Sequence, residues 1–391
     1  MKKDRNVLID ATKLLLAFSV VFMHLVPNEP QLELISQPLL TFTVPFFFTI
    51  ALYFFVHKVR KNSELRLAEL NLERLLLPYC AWTVIYLALR MFKYRSNLAE
   101  LQLGSPLEVA LYGGAALHLY FLPFLLLCEA WVLSFAFISR AWRPTLIGIS
   151  IFVGAFAFSH IGNKYAFFYF DHAFSRSLLY VAAAFLLHAV QSWSEYAKLL
   201  NTVASGVLAA FLVFASFGQW PEWVVFMRGP LAGYALASLA LSWRVQMKPN
   251  KAMKYLLGYS FGIYLSHLAF TAGFERMTDK LGFELPPYSA LEKLPITLLI
   301  CGCCIIFIVF VRKNRFARLF LLGEAATPRV VVEATRQRSV KSLETPEPSF
   351  RQFSPAFSVS EWQLLAQPLP LALDRFGSVG KIAGSESPRV S

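Results

Sequence analysis

The sequence predicts an all-α fold: a polytopic membrane helical bundle of about ten transmembrane helices with a disordered C-terminal tail. Three observations predict it. The 391 residues are 57% hydrophobic and only 16% charged, with a mean hydropathy of +0.52, whereas soluble domains carry about a quarter charged residues. Apolar runs close to the length of a bilayer crossing recur from residue 7 to residue 312. After about residue 323 the composition turns to Ser, Pro, Glu, Arg and Gln, with no run long enough to span. The organisation that follows is a membrane domain over residues 1–322 and a cytoplasmic tail over residues 323–391.

The runs lie near residues 7–27, 36–57, 74–93, 117–139, 144–161, 174–191, 199–217, 222–243, 253–273 and 294–312. Lys and Arg crowd alternate connections, among them Lys58, Arg60, Lys61 and Arg66; Arg140 and Arg143; Arg244, Lys248, Lys251 and Lys254; and Arg312, Lys313, Arg315 and Arg318. The positive-inside rule then places these connections and both termini in the cytoplasm. It also accounts for the net charge of +13 without nucleic acid, whose recognition would need a basic face on a soluble module. Met1 to Arg5 leads directly into a long span with no small-residue cleavage site, so the first helix is expected to be retained. The five cysteines sit inside apolar runs at spacings that match no zinc or redox motif. No metal and no bound cofactor are expected.

The first span, RNVLIDATKLLLAFSVVFMH, carries a carboxylate, an amine and an imidazole inside an apolar helix. Asp10 stands three residues before Lys13, within reach to neutralise it. Eleven steps of about 100° bring His24 back to the face of Lys13, on the order of 16 Å further along the axis. A boundary salt bridge and a snorkelling imidazole would explain these residues without function, but ionisable groups inside membranes usually mark a working site.

Arg5, Asp10, Lys13 and His24 stand as they do in the acyltransferase type 3 family, which the chain resembles from about Arg5 to Arg318. Three other segments carry the likeness. LNLERLLLPYCAW has Arg74 at the second position of the family's Arg-x-x-Arg and Asn71 at the first. HLYFL, from His118, is similar to the family's His-Leu-Trp-Phe-Leu with Tyr120 in place of Trp. YLLGYSFGIYLSHLAF sets Ser260, Tyr264 and His267 four and then three residues apart, one polar stripe on an apolar helix. In the second span Ala51 and Leu52 stand where the family commonly has Ser-Gly.

The resemblance implies a membrane O-acyltransferase in the bacterial plasma membrane. It would move an acyl group, acetyl by expectation, from a cytoplasmic acyl-CoA such as acetyl-CoA to a hydroxyl of a glycan, exopolysaccharide or lipid-linked precursor. His24, Lys13 and Asp10 would be catalytic, with His24 a general base or a covalent acyl carrier. Arg74 and Arg5 would bind the donor, and an arginine's forked geometry suits phosphate. Arg60, Lys61 and Arg66 lie close enough in sequence to supply charge where Asn71 replaces Arg. His118, Arg228, Ser260, Tyr264 and His267 are acceptor-side or cavity residues.

Arg228 and Glu129 stand out on physical grounds. Arg228 is followed by Gly229 and Pro230, so the eighth span is expected either to break there and line a cavity or to start later, with Arg228 reaching outward. Glu129, inside the fourth span, should point into the bundle. Two other classes fit the same charges: a transporter of a small anionic solute, which also uses midplane charge and broken helices, and an inactive relative of the family.

Overall fold

The computed structural model describes residues 6–25, 30–61, 70–94, 115–138, 144–162, 170–218, 220–243, 255–282 and 290–324. Among these the chain is helical and contains no strand. Ten long helices follow one another: α1 (Val7–His24), α2 (Pro30–Lys61), α3 (Leu72–Lys93), α4 (Phe121–Ile138), α5 (Pro144–Gly162), α6 (Phe170–Val190), α7 (Glu195–Ala215), α8 (Glu222–Ser242), α9 (Ser260–Lys280) and α10 (Ala290–Lys313). A 3₁₀ turn (Leu117–Tyr120) leads into α4, and a short helix, α11 (Arg315–Leu322), follows α10. Each long helix coincides with one predicted run. Among the described residues, however, seven helices are long and apolar enough to cross a membrane, fewer than the sequence-based count. The described part of α6 gives only a shorter apolar helix, Arg176–Val190. α9 falls short because its own polar stripe and the charged turn Glu275–Lys280 dilute it.

Local chemistry sets the helix ends. The Asn6 side chain accepts hydrogen bonds from the backbone N–H groups of Leu8 (3.0 Å) and Ile9 (3.3 Å), capping α1. Asp10 in its first turn complements the helix dipole. α11 has both signals in eight residues: Asn314 accepts from Phe316 N–H and Ala317 N–H, and Gly323 closes the helix at φ +61°, a left-handed conformation that favours glycine. Several hydroxyls within the apolar helices are satisfied by the preceding turn, as with Thr12 on Leu8 O (2.8 Å), Ser19 on Leu15 O (3.1 Å) and Thr297 on Lys293 O (2.7 Å).

α2 is the centre of the bundle and packs against α1, α4, α6 and α8. Lipid tails are as apolar as leucine, so close approach and interhelical hydrogen bonds must hold the helices together. The α2–α8 seam uses close approach. A Cβ on Gly229 would meet Tyr180 Oη at 2.9 Å, and one on Gly233 would strike the Pro45 backbone and Thr49 Oγ1. This finding corrects the expected break. α8 runs unbroken from Glu222 to Ser242 through Gly229 and Pro230, and its glycines serve helix packing four residues apart.

Elsewhere polar groups tie helices across the bundle. Thr41 meets Ser216 at 3.0 Å, Tyr234 Oη donates to Asn201 (2.6 Å), and Asn201 donates to Ser238 (2.6 Å). Trp82 Nε1 donates to Leu321 O at 2.9 Å, which fastens α11 to α3. The aromatic centre lies where α2, α4 and α6 meet: the Phe48 ring is 4.4 Å from Phe121, 4.9 Å from Phe124 and 5.1 Å from Tyr180.

Candidate functional site

A cavity of about 470 Å³ opens between α1, α2, α3, α4 and α9. Helical rise gives its depth. From Lys58 to Phe47 on α2, and from Glu129 to Phe121 on α4, the lining residues descend about 16 Å and about 12 Å at 1.5 Å per residue. Lys58, Asn71, Arg74 and Glu129 stand at the mouth. Leu75, Leu125, Phe55, Phe261 and Ala51 line the middle. The deep end is aromatic, formed by Phe47, Phe121 and Tyr264. Tyr264 closes it with its ring centroid 5.2 Å from Phe121 and 6.2 Å from Phe47.

Asp10 and Lys13 enter this cavity from α1, because each lies on the face that α1 turns towards α2 and α9. Their charged ends are 3.8 Å apart, and the Lys13 ammonium lies 5.3 Å from the Phe54 ring centroid. Lys13, Lys58 and Arg74 thus bring three cations to one apolar tunnel, set against two carboxyls, Asp10 and Glu129.

Glu129 is 3% exposed, pointing inward as a membrane carboxyl should. It accepts hydrogen bonds from Asn71 N–H (3.1 Å) and Asn71 Nδ2 (2.7 Å). Asn71 occupies the N-cap of α3, where its side chain makes no capping bond and its Nδ2 instead donates to Glu129. Beside this mouth a second hollow is lined by Leu70, Asn71, Glu73, Arg74, Leu319, Gly323 and Glu324, so Asn71 and Arg74 border both. Arg312 pairs with Glu324 through Nη2 (2.5 Å) and Nε (3.1 Å) and donates to Gly258 O (3.0 Å). These bonds hold the end of α11 in place.

Beyond Tyr264 lie three histidines from three distant segments. The His267 ring centroid is 5.1 Å from that of His24 and 5.0 Å from that of His118. His118 and His267 are buried, at 4% and 0% exposure. His267 Nδ1 is 2.7 Å from Tyr264 O, and because a carbonyl only accepts, Nδ1 carries the proton and Nε2 presents a lone pair. The same reasoning at His118 Nε2, 3.4 Å from Leu265 O, leaves Nδ1 as the acceptor. Both acceptor nitrogens are buried and have no hydrogen-bond partner among the described residues. Tyr264 Oη donates to His118 O (2.6 Å), and Tyr86 Oη donates to Leu265 O (2.8 Å), so the cluster is braced from two sides.

The fold therefore gathers most of the residues that the sequence singled out. Asp10, Lys13, Arg74, Ser260 and Tyr264 line the cavity, while His24, His118 and His267 meet behind its aromatic end. Arg228 stands apart: it is half-buried on the unbroken α8 and is not among the cavity-lining residues. Arg5 and Arg66 lie outside the described residues, as does the tail from residue 325. Lys58, exposed near the end of α2, is the cation that joins Arg74 at the mouth. Phe47 and Phe121, which the sequence did not single out as site residues, line the deep end. Among the described residues no group of three or more His, Cys, Asp or Glu could hold a metal ion.

The chain belongs to the acyltransferase type 3 family, whose model, described as an acyltransferase domain, matches residues 6–311. Together with the seven helices long and apolar enough to cross a membrane among the described residues, this membership makes it an integral membrane acyltransferase. No curated protein and no solved structure matches the chain.

Proposed function

We propose that the protein transfers an acyl group, acetyl in the first instance, from a cytoplasmic acyl-CoA to a hydroxyl of a glycan or lipid-linked acceptor at a bacterial plasma membrane. The observation that carries the reading is the cavity itself. It is cationic at its mouth, apolar along its length, and ends one aromatic ring away from a cluster that contains His24. A coenzyme A thioester has the matching order of parts: a polyanionic head, a slender arm and a reactive carbonyl at the tip. Arg74 forks onto phosphate, Lys58 adds charge beside it, and the hollow that shares Asn71 and Arg74 takes the polar end of the donor. In this reading α5, α6 and α9 also cross the membrane, with the polar stripe of α9 turned inward, and both termini are cytoplasmic.

His24 acts as the general base. It takes the proton from the acceptor hydroxyl as the oxygen attacks the thioester carbonyl; the carbon–sulfur bond breaks and the proton passes to the departing thiolate. Lys13, its charge balanced by Asp10 and set on the order of 16 Å along α1 from His24, charge-matches and positions the donor nearer the mouth. The lone pairs of His118 and His267 receive hydrogen bonds from the acceptor or from water that accompanies it.

The test is the ester content of surface glycans, measured by proton NMR in cells with the protein, without it, and with His24→Ala. Acyl ester signals that need both the protein and His24 are expected. Equal spectra in all three strains would overturn the reading in favour of transport or inactivity.

A further inference from the structure

The aromatic end of the cavity has a feature that the transfer chemistry does not require. Tyr264 is 4% exposed and is fixed from every side: its hydroxyl donates to His118 O at 2.6 Å, and its ring packs against Phe47, Phe121 and His118. The same ring is the last residue lining the cavity on α9, and the histidines pack directly behind it, with centroids 5.6 Å (His118) and 6.1 Å (His267) away. His118 and His267, which back the ring, are themselves buried. A donor threaded from the mouth presents the tail of its acyl group first to this wall. Every methylene added beyond the carbonyl must displace a held aromatic ring or pull the thioester back towards the mouth.

We infer that Tyr264, backed by Phe47 and Phe121, is the specificity-determining floor that limits the acyl donor to short chains. This rests on the acyl-CoA reading above and adds a substrate class to it. The discrimination has a known scale, because one methylene too many in a close-fitting apolar pocket changes selectivity by about tenfold or more. The hydrogen bond to His118 O holds the ring in position, while the ring itself supplies the block. Tyr264→Phe should therefore keep the length limit and Tyr264→Leu should lose it. Phe47, only partly buried, offers an independent route to the same space through Phe47→Leu.

The experiment is displacement of radiolabelled acetyl-CoA from the detergent-purified full chain by unlabelled acetyl-, propionyl-, butyryl- and hexanoyl-CoA, which needs no acceptor. For the wild type, hexanoyl-CoA is expected to compete at least tenfold less well than acetyl-CoA. In Tyr264→Leu and in Phe47→Leu the gap should close to within about threefold, while Tyr264→Phe keeps it. If the wild type binds no acetyl-CoA, the donor reading falls and the inference falls with it. If it binds acetyl-CoA but takes hexanoyl-CoA equally well, or if neither leucine variant changes the ranking, the floor is refuted and the donor reading stands.

Discussion

Replacing Asn71 with alanine should loosen the cavity mouth by an amount that the structure sets. Glu129 accepts two hydrogen bonds from Asn71, and Asn71→Ala removes the shorter, from Nδ2 at 2.7 Å, while the backbone N–H at 3.1 Å stays. Glu129 is only 3% exposed, so water cannot freely replace the lost donor. A buried acceptor left short of a partner costs about 1–3 kcal/mol. Since the Asn71 side chain does not cap α3, the substitution removes no capping bond, and the loss belongs to the pair. At about 2–4 °C per kcal/mol for a protein of moderate size, the melting temperature in detergent should fall by several degrees. The assay is a double-mutant cycle of Asn71→Ala and Glu129→Ala followed by thermal unfolding, with a coupling of about 0.5–3 kcal/mol expected. Additive effects, with coupling inside the error of the cycle, would show that the contact contributes nothing and that the mouth is held by something else.

Arg74→Ala should raise the dissociation constant for acetyl-CoA by roughly tenfold or more, the loss of one charge-assisted contact, and Arg74→Lys should restore only part because the fork is gone; filter binding on purified protein measures both. Gly233→Ala should destabilise the bundle by about 1–3 kcal/mol, because the new Cβ collides with the Pro45 backbone and Thr49; thermal unfolding in detergent, with Gly302→Ala as the control at a site that meets nothing within 4 Å, checks it. Removing residues 330–391 should leave membrane insertion and acyl transfer intact, measured by membrane fractionation and glycan ester content.

Much of this architecture was legible because apolar run length and helical period are local properties. The pairing of Asp10 with Lys13 followed from three-residue spacing, and the inward turn of Glu129 from the expense of a carboxyl in lipid. What stayed hidden depends on partners remote in the chain. Asn71 read as a departure from an arginine, and only its contact with Glu129, 58 residues on, shows what the amide does there. His24 and His267 could each be singled out alone, but their 5.1 Å approach exists only once α1 packs against α9. Gly229 and Pro230 read as a break because local propensity says so. The answering surface on α2, Pro45 and Thr49, is what turns the glycines into a seam. α11 escaped notice for a different reason. Eight residues are too few to register as a crossing, although Asn314 and Gly323 punctuate both of its ends.

The α2–α8 seam also imposes a schedule on biogenesis. About 180 residues separate the end of α2 at Lys61 from the end of α8 at Ser242, which at ribosomal speeds of about 5–20 residues per second is roughly 10 to 40 seconds of synthesis. For that interval α2 sits in the bilayer with Thr49 and the carbonyl of Pro45 facing a partner that has not yet been made. α9, which supplies Tyr264 and His267, arrives later still. The nascent chain must therefore wait with its central helix half-dressed, and that flank of α2 is where an insertase or chaperone would shield it.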